Sequence, residues 1–214
     1  MMTLDRRSLL ASIAIAGAGG ASTLALAKSK KGGAHKRPPT FILVLADDLG
    51  YGDVGVNGGR SIRTPNIDHL AADGLVMTDA YASANICTPS RAGLLTGRYP
   101  IRTGLAWQVI QANDTNGLPP GEATIAEALG PDYVSALIGK WHLCHVAPYC
   151  PPTLQGFDLF FGLPYSHVMK PLSLYTAGKG VEFTQEDVDM VKLTQRFFAR
   201  AGEFVETNPD RPFS

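Results

Sequence analysis

One cysteine of the sequence stands in a setting that suits chemistry on an anion. Cys87 opens the segment Cys-Thr-Pro-Ser-Arg, in which Pro89 can begin a helix that Gly97 can end. Cys87 is therefore predicted at a helix N-terminus, where unpaired backbone N–H groups and the helix dipole favour negative charge. Arg91 lies one turn further and would aim its guanidinium at the same place. Taken alone, a cysteine before an ordinary helix is usually structural.

Two adjacent carboxylates, Asp47 and Asp48, follow the apolar run of residues 41–46. They would stand at the carboxyl end of a predicted strand, where open parallel sheets place their ligand sites. Because neighbouring carboxylates repel each other unless a cation relieves them, a hard divalent metal ion with oxygen ligands is one interpretation. The other interpretation is a polar loop that simply turns the chain.

Lys140 and His142 continue another predicted strand beyond its apolar part. Strand alternation would put both side chains on one face and Trp141 on the other. A cation beside a titratable imidazole suits the binding of an anion and the movement of a proton. For this pair taken alone, a solvated strand end is the alternative.

These segments and others occur in an order typical of one family. The sequence resembles the sulfatase family, particularly arylsulfatases, from about Pro39 to Ser214. The resemblance rests on Leu-Ala-Asp-Asp-Leu-Gly, Thr-Pro-Asn-Ile-Asp, Cys-Thr-Pro-Ser-Arg followed by Thr-Gly-Arg, Gly-Lys-Trp-His-Leu, and Gly-Phe-Asp with Pro-Tyr-Ser-His. The Cys-x-Pro-Ser-Arg element is the most specific of them. The resemblance implies an α/β fold like that of alkaline phosphatase and the hydrolysis of sulfate monoesters.

The resemblance also implies how the nucleophile is made. Cys87 would be converted to formylglycine by a generating enzyme that reads Cys-x-Pro-x-Arg, and Arg91 would steady the aldehyde hydrate. One hydroxyl of the hydrate would attack sulfur and expel the alcohol, and the second would expel sulfate as the aldehyde re-forms. A thiolate lacks that second oxygen, so an unmodified cysteine could not release the product by this route.

The other implied site residues bind metal or substrate. The resemblance implies a Ca²⁺ site whose ligands in this chain are Asp47, Asp48 and the modified Cys87. Lys140 would hold the sulfate, and His142 would hydrogen-bond the hydrate and help it collapse. Ser166 matches a further active-site serine, which we assign to substrate binding.

Part of the family's site has no counterpart before Ser214. The resemblance implies an Asp-Asn pair that completes the metal shell, a second histidine that protonates the leaving group, and a further lysine. We therefore expect little or no sulfatase activity from the chain as it stands, and a catalytically inactive fragment is one alternative function. A phosphate or phosphonate monoester hydrolase of the same superfamily is another alternative function. The metal ion and the anion-binding helix start with Arg91 would suit any tetrahedral oxyanion.

The candidate residues depend on the elements that carry them. Apolar and β-branched runs predict buried strands over residues 41–46, 75–81 and 133–138. Helices are predicted over residues 65–73 and 124–129, and a capping box at 184–187 predicts a longer helix that reaches about Glu206. Residues 208–214 indicate a helix exit before a further strand. This alternation favours a largely parallel α/β sheet flanked by helices.

The first 39 residues differ in composition from the rest. Arg6-Arg7 before the Gly- and Ala-rich stretch from Leu9 to Leu26 predicts a twin-arginine signal peptide over residues 1–27, followed by a basic linker over residues 28–39. Residues 40–214 would then be the incomplete catalytic region, and the mature protein would be periplasmic or secreted. A retained membrane anchor is the alternative.

Charge limits the classes of partner. Beyond residue 39, twelve Lys and Arg stand against eighteen Asp and Glu, a formal charge of −6. An acidic body without a basic stripe argues against nucleic acid as a partner. The expected partners are a small sulfate ester or sulfated glycan, the formylglycine-generating enzyme and the twin-arginine export machinery.

A second cysteine cluster departs from the family pattern. Cys144 and His145 stand where the family usually has a glycine after Lys-Trp-His-Leu. With His142 and Cys150 they could hold zinc, although the spacing matches no standard finger. A Cys144–Cys150 disulfide in an oxidising compartment is the alternative that we favour.

Overall fold

The structure, a computed structural model, describes residues 38–214. Its helices are α1 Pro65–Asp73, α2 Cys87–Thr96, α3 Ile125–Leu129 and α4 Leu193–Thr207. Its strands are β1 Ala136–Lys140, β2 Leu159–Leu163, β3 Ser173–Gly178 and β4 Val181–Asp187. The predicted signal peptide and all but the last two residues of the predicted linker lie outside the described residues. Among residues 38–214, no helix combines the length and the apolar character needed to cross a bilayer.

The four strands form a mixed sheet in the order β1-β2-β3-β4. β1 and β2 pair in parallel, whereas β2–β3 and β3–β4 pair antiparallel. Strands β3 and β4 are joined by the tight turn at Lys179-Gly180, with Gly180 at φ 72°, and such a hairpin must be antiparallel. The sheet described here is therefore less parallel than the sequence predicts.

Both faces of the sheet are covered. On one face, Phe160 of β2 belongs to the cluster that contains Ala92 of α2 and Ala126 of α3. On the other, Phe161 packs with Leu193 of α4 and meets Phe197 edge-to-face, with 6.1 Å between ring centroids. All five residues of β2 are buried, which is the pattern of a strand between two layers.

Two helices agree with the sequence prediction. α1 spans residues 65–73 as predicted, with Pro65 at its first position. α3 begins after the cap residue Thr124, whose Oγ accepts the N–H of Glu127 while the Glu127 carboxylate accepts the N–H of Thr124. This reciprocal pair is a capping box, and it explains why five residues suffice for the helix.

The strands predicted over residues 41–46 and 75–81 are wrong for this structure, since neither segment forms a strand. Residues 41–45 are exposed, Val44 to 75%. Phe41 attaches them through a hydrogen bond from its N–H to the Phe213 carbonyl and through stacking of its ring on Tyr133. Leu75 is 83% exposed, and a turn interrupts its segment. An apolar run makes a buried strand only where neighbouring strands pair with it and other layers cover it.

Two further predictions shift along the chain. Residues 184–187 belong to β4 rather than to a helix start, because Val181–Asp187 pairs with β3, and the helix begins at Leu193. The strand predicted over residues 133–138 runs from Ala136 to Lys140. Val134 keeps one parallel bridge, to Phe213, so the segment predicted to lead into a further strand does meet the sheet.

Candidate active site

Cys87 is the first residue of α2 and carries a free thiol. The helix follows the extended residue Ile86 and ends at Gly97, whose φ of 65° is the left-handed conformation that suits a glycine cap. Pro89 is the third residue of the helix rather than the first. The Cys87 side chain is half-buried at the end of α2 where the backbone N–H groups favour an anion, as the sequence predicts.

Arg91 lies one turn into α2 and connects the helix to β1. Its Nη1 donates to the Lys140 carbonyl at 2.5 Å, and its Nη2 lies 3.4 Å from Oδ1 of Asp47. The guanidinium therefore spans two chain segments with the two arms of its planar fork, a geometry that the compact ammonium of a lysine does not reproduce.

Asp47 and Lys140 form the closest ion pair of this cluster, with 2.8 Å between Nζ and Oδ2. Only 10% of the Lys140 side chain is exposed. Burial raises the pKa of Asp47, but the hydrogen bond and charge of Lys140 and the charge of Arg91 outweigh it and hold that pKa below its usual value. Asp47 is therefore an anion between two cations.

Asp48 is placed differently from its neighbour. It is exposed, and its backbone has φ 59°, a left-handed conformation that is uncommon outside glycine. Within the described residues its carboxylate makes no hydrogen bond to the cluster around Asp47. The two carboxylates that the sequence places together thus point to different surroundings.

His142 is the buried titratable group of the site, with 1% of the residue exposed. Its Nε2 lies 3.0 Å from the Ile110 carbonyl, and its Nδ1 has no hydrogen-bond partner in the described part of the chain. Burial, reinforced by the Lys140 charge, lowers its pKa to about 4, so the ring is neutral at pH 7. A carbonyl can only accept, so the single proton of the neutral ring belongs on Nε2 and the lone pair on Nδ1.

The alternation that the sequence predicts for Lys140 and His142 stops at Lys140, where β1 ends. His142 has φ 61° and donates its N–H to the Pro164 carbonyl beyond β2. The charges of Lys140, Arg91 and Asp47 nevertheless all act on its ring, which places the imidazole near the ion cluster. The left-handed turn, not strand alternation, sets the direction of His142.

The carboxyl ends of β1 and β2 form the edge on which these residues stand. In the parallel register Gly139 faces Gly162, and a Cβ on Gly162 would overlap the Gly139 carbonyl oxygen. Two glycines let the strands approach just before Lys140. Ser166 lies three residues past β2 on the same edge, half-buried, but across residues 38–214 its hydroxyl forms no hydrogen bond with the cluster.

Thr88 is a site residue that the sequence analysis did not single out. Its hydroxyl is buried between the His142 carbonyl and the Ile110 N–H. The only local signal is that a small hydroxyl residue fills the variable position of Cys-x-Pro-Ser-Arg. Ile110 carries no signal at all, because it contributes through its backbone.

Cys144 and Cys150 are joined in a disulfide, with 5.6 Å between their Cα atoms. Two sulfurs in a disulfide cannot serve as zinc thiolates, so this structure favours the disulfide over the zinc cluster. Trp141 donates its Nε1–H to Sγ of Cys144 at 3.0 Å, which packs the bridge directly behind the strand end that carries Lys140.

Comparison with known proteins identifies the family. A family model described as Sulfatase matches residues 39–214. Human arylsulfatase A is 50% identical over 139 residues, 63% of this chain and 27% of that protein. Mouse arylsulfatase G is 35% identical over 211 residues, 82% of this chain and 39% of that protein. The chain thus spans well under half the length of these curated relatives.

Solved structures agree on the fold. The PsFucS1 sulfatase from Pseudoalteromonas sp. superposes with a TM-score of 0.74 and 30% identity, over 83% of this chain and 42% of that chain. Ps i-CgsB, solved in complex with k-i-k-neocarrahexaose, gives 0.68 and 33% identity, over 82% and 43%. These neighbours confirm the predicted alkaline-phosphatase-like class for the part of the domain present here. The chain belongs to the sulfatase family.

Proposed function

We propose that this chain carries the nucleophile region of a sulfuric ester hydrolase that cleaves sulfate monoesters through a formylglycine made from Cys87. The observation that carries the proposal is the cluster of Asp47, Arg91 and Lys140 at the carboxyl end of β1. Two of its three members are cations with mostly buried side chains beside the helix start that holds Cys87. Such a cluster suits the anionic oxygens of a sulfate monoester and the sulfate that its hydrolysis releases.

The surroundings of Cys87 fit an aldehyde hydrate. The thiol is half-buried and free, and the neighbouring Thr88 donates a hydrogen bond to the carbonyl of His142. The Nδ1 atom of His142 is buried without a hydrogen-bond partner among residues 38–214. Buried polar atoms are rarely left unpaired, so an additional hydroxyl at position 87 is a reasonable partner for it. A hydrated aldehyde would supply one hydroxyl as nucleophile and a second one for release of sulfate.

The chain's own residues would bind the anion and move a proton. Lys140 and Arg91 would attract and orient the sulfate oxygens, at the cost of loosening their present contacts with Asp47. His142, neutral at pH 7 with its lone pair on Nδ1, would accept a proton from a hydroxyl at position 87. Ser166, on the same edge of the sheet, would contact the substrate.

Calcium belongs to the proposal through the family resemblance. The adjacent carboxylates Asp47 and Asp48 are hard oxygen donors of the kind that Ca²⁺ prefers. The described residues alone do not fit a complete site, because they contain no group of three His, Cys, Asp or Glu side chains placed to share a metal. Ca²⁺ takes about six to eight oxygen ligands. The roles given to Arg91, Lys140 and His142 stand without it.

Substrate class and location extend the proposal to the whole protein. The matched relatives include steryl-sulfatases as well as arylsulfatases, and one structural neighbour was solved with an oligosaccharide. We infer that the substrate is a small sulfate ester or a sulfated glycan. Residues 1–27 would direct the protein through the twin-arginine machinery after the generating enzyme has acted on Cys87, since that route carries folded proteins.

The decisive experiment is mass analysis of the peptide around Cys87 from protein made in its native host. The expected product has exchanged one sulfur and two hydrogens for one oxygen. The same preparation is assayed with aryl sulfate and aryl phosphate, beside a Cys87→Ala variant. An unmodified thiol would overturn the formylglycine mechanism. Faster turnover of the aryl phosphate would favour a phosphate monoester hydrolase. Protein that is modified at Cys87 but turns over neither substrate would favour a catalytically inactive fragment.

A further inference from the structure

Thr88 follows Cys87 in the chain, yet its side chain faces the protein interior. Its Oγ–H donates to the His142 carbonyl at 2.8 Å, and its Oγ accepts the Ile110 N–H at 3.1 Å. Thr88 is 0% exposed, Ile110 2% and His142 1%, so water does not compete for these bonds. A buried hydroxyl used as both donor and acceptor is held in one rotamer.

A third hydrogen bond closes the arrangement into a ring. The Nε2–H of His142 donates to the Ile110 carbonyl at 3.0 Å. Each of the three residues therefore contacts the other two, although they are separated by 22 to 54 positions in the chain. Helix α2, the loop around Ile110 and the end of β1 meet in this ring.

The three hydrogen bonds fix both the backbone conformation of His142 and the position of its imidazole proton. Its backbone has φ 61°, a left-handed conformation that a non-glycine residue keeps only when its surroundings impose it. The bond from Thr88 to the His142 carbonyl and the bond from the His142 N–H to the Pro164 carbonyl fix that backbone from both sides. The Ile110 carbonyl accepts the imidazole proton and thereby keeps it on Nε2. The Thr88 hydroxyl holds Ile110 in place by accepting its N–H.

We propose that Thr88 is a positioning residue for His142. Through the backbone of Ile110 it keeps the imidazole proton on Nε2, so that the Nδ1 lone pair is presented to the residue at position 87. The catalytic meaning of this arrangement rests on the proposed function, but the arrangement itself does not. One residue of α2 thus couples the nucleophile's helix to the proton acceptor.

The first test is spectroscopic and needs no activity. Long-range ¹H–¹⁵N correlation spectra of the full chain labelled with ¹⁵N-histidine at pH 7 report which ring nitrogen carries the proton, and His142→Gln assigns the signal among the five histidines. We expect His142 to be protonated on Nε2 in the wild type and in Thr88→Ser. Thr88→Val, which keeps the volume but loses both bonds, should populate the other tautomer.

Thr124→Val is the matched control. Thr124 is also buried, donates to the Gln155 carbonyl at 2.7 Å and accepts the Glu127 N–H at 3.2 Å, but among residues 38–214 it forms no hydrogen bond with His142 or Ile110. It should leave the His142 tautomer unchanged. A wild-type proton on Nδ1, or the same tautomer in Thr88→Val as in the wild type, would overturn the proposal. Should Thr88→Val not fold, the wild-type spectrum and Thr88→Ala decide it.

The second test reads catalysis in native-host protein whose conversion at Cys87 has been measured by mass. Thr88→Val should lower kcat on the order of 10²-fold with KM nearly unchanged, because the misplaced group acts on the proton and not on sulfate binding. Thr88→Ser should restore kcat. An unaltered kcat in Thr88→Val would contradict positioning. A wild type that is converted at Cys87 but has no turnover would favour the inactive fragment as its function, and the tautomer result would still decide the role of Thr88.

Discussion

The Nζ of Lys140 lies 2.8 Å from Oδ2 of Asp47, although the two residues are 93 positions apart in the chain. Arg91 reaches the other carboxylate oxygen, Oδ1, at 3.4 Å. The carboxylate thus occupies the space between two cations that a sulfate would also seek. Binding of an anion at this place requires the cations to exchange one partner for another, and this exchange can be tested one residue at a time.

Replacing Lys140 by methionine should weaken anion binding more than it weakens the fold. A charge-assisted hydrogen bond contributes about 1.5 to 3 kcal/mol, so the Kd for inorganic sulfate should rise roughly 10- to 100-fold. The measurement is titration calorimetry with inorganic sulfate, with KM for an aryl sulfate as a second readout in native-host protein. Lys179→Met is the matched control, because Lys179 also pairs at 2.8 Å, with Asp158, but is 82% exposed. Equal effects of the two variants would contradict the assignment of Lys140.

Replacing Arg91 by lysine keeps the charge but removes the fork that joins the Lys140 carbonyl to Asp47. In native-host protein that turns over an aryl sulfate, we expect kcat/KM to fall on the order of 10²-fold, the loss typical of one donor to a developing negative charge. Conversion of Cys87 must be measured by mass in the same sample, since Arg91 also belongs to the motif that the proposed generating enzyme would read. Arg98→Lys, which affects the pair of Arg98 with Glu122, is the control. Full activity of Arg91→Lys with full conversion would refute the role of the fork.

The buried imidazole of His142 predicts a dependence of stability on pH. Its pKa is lowered to about 4 in the folded protein from an unfolded value of 6.5, chiefly by burial. Between these two values the unfolded chain binds a proton that the folded chain does not, so stability should fall as pH falls from 6.5 to 4. The full shift corresponds to about 3 kcal/mol.

Urea unfolding of the chain at several pH values between 7 and 4 measures this effect. His142→Gln should flatten the dependence, whereas replacing the exposed His69 by glutamine should leave it as in the wild type. Asp47 acts in a lower window, because its pKa is held below its usual value and its contribution is lost only as pH falls through that value. A pH profile that His142→Gln does not alter would exclude a neutral buried imidazole.

The disulfide between Cys144 and Cys150 predicts a sensitivity of stability to reductant that is independent of Cys87. Cys144 and Cys150 are six positions apart, and closing so short a loop stabilises by roughly 2 kcal/mol in the chain-entropy account. Reduction, or the double change Cys144→Ser and Cys150→Ser, should lower Tm by the corresponding amount. Cys87→Ser should unfold at the wild-type temperature in oxidising buffer and lose the same stability when reduced. A Tm that reductant does not change would argue against the bridge.

The sequence predicts those parts of the fold and of the site that depend on local signals. Pro65, Thr124 and Gly97 mark helix boundaries through their own conformational preferences, and the structure places α1, α3 and the end of α2 accordingly. The meeting of Asp47, Arg91 and Lys140 agrees with the site that the family resemblance implies, although residues 41–46 before Asp47 form no strand. Nothing local indicates the left-handed conformation of His142 or the part played by the Ile110 backbone, because both depend on segments far apart in the chain.

The secondary structure of two other segments depends on which strands pair with them. Thr184-Gln-Glu-Asp187 satisfies the pattern of a capping box and also the alternation of a strand, and the hairpin with β3 decides in favour of the strand. The apolar run 41–46 satisfies the pattern of a buried strand, but the pattern cannot say whether neighbours are present to bury it. Pairing and covering are properties of the whole fold, and this is why these predictions were wrong.

Whether residues 41–46 are exposed or form a buried strand can be tested directly by placing a charged side chain among them. In this structure Val44 is 75% exposed, so Val44→Lys in the 214-residue chain should change the free energy of unfolding by no more than about 0.5 kcal/mol. Leu174 of β3 is 0% exposed, and Leu174→Lys should cost about 4 kcal/mol or more, because it buries an unpaired charge. Urea unfolding of both variants beside the wild type gives the comparison. A large loss from Val44→Lys would mean that residues 41–46 are covered in solution and that the strand predicted from the sequence does form.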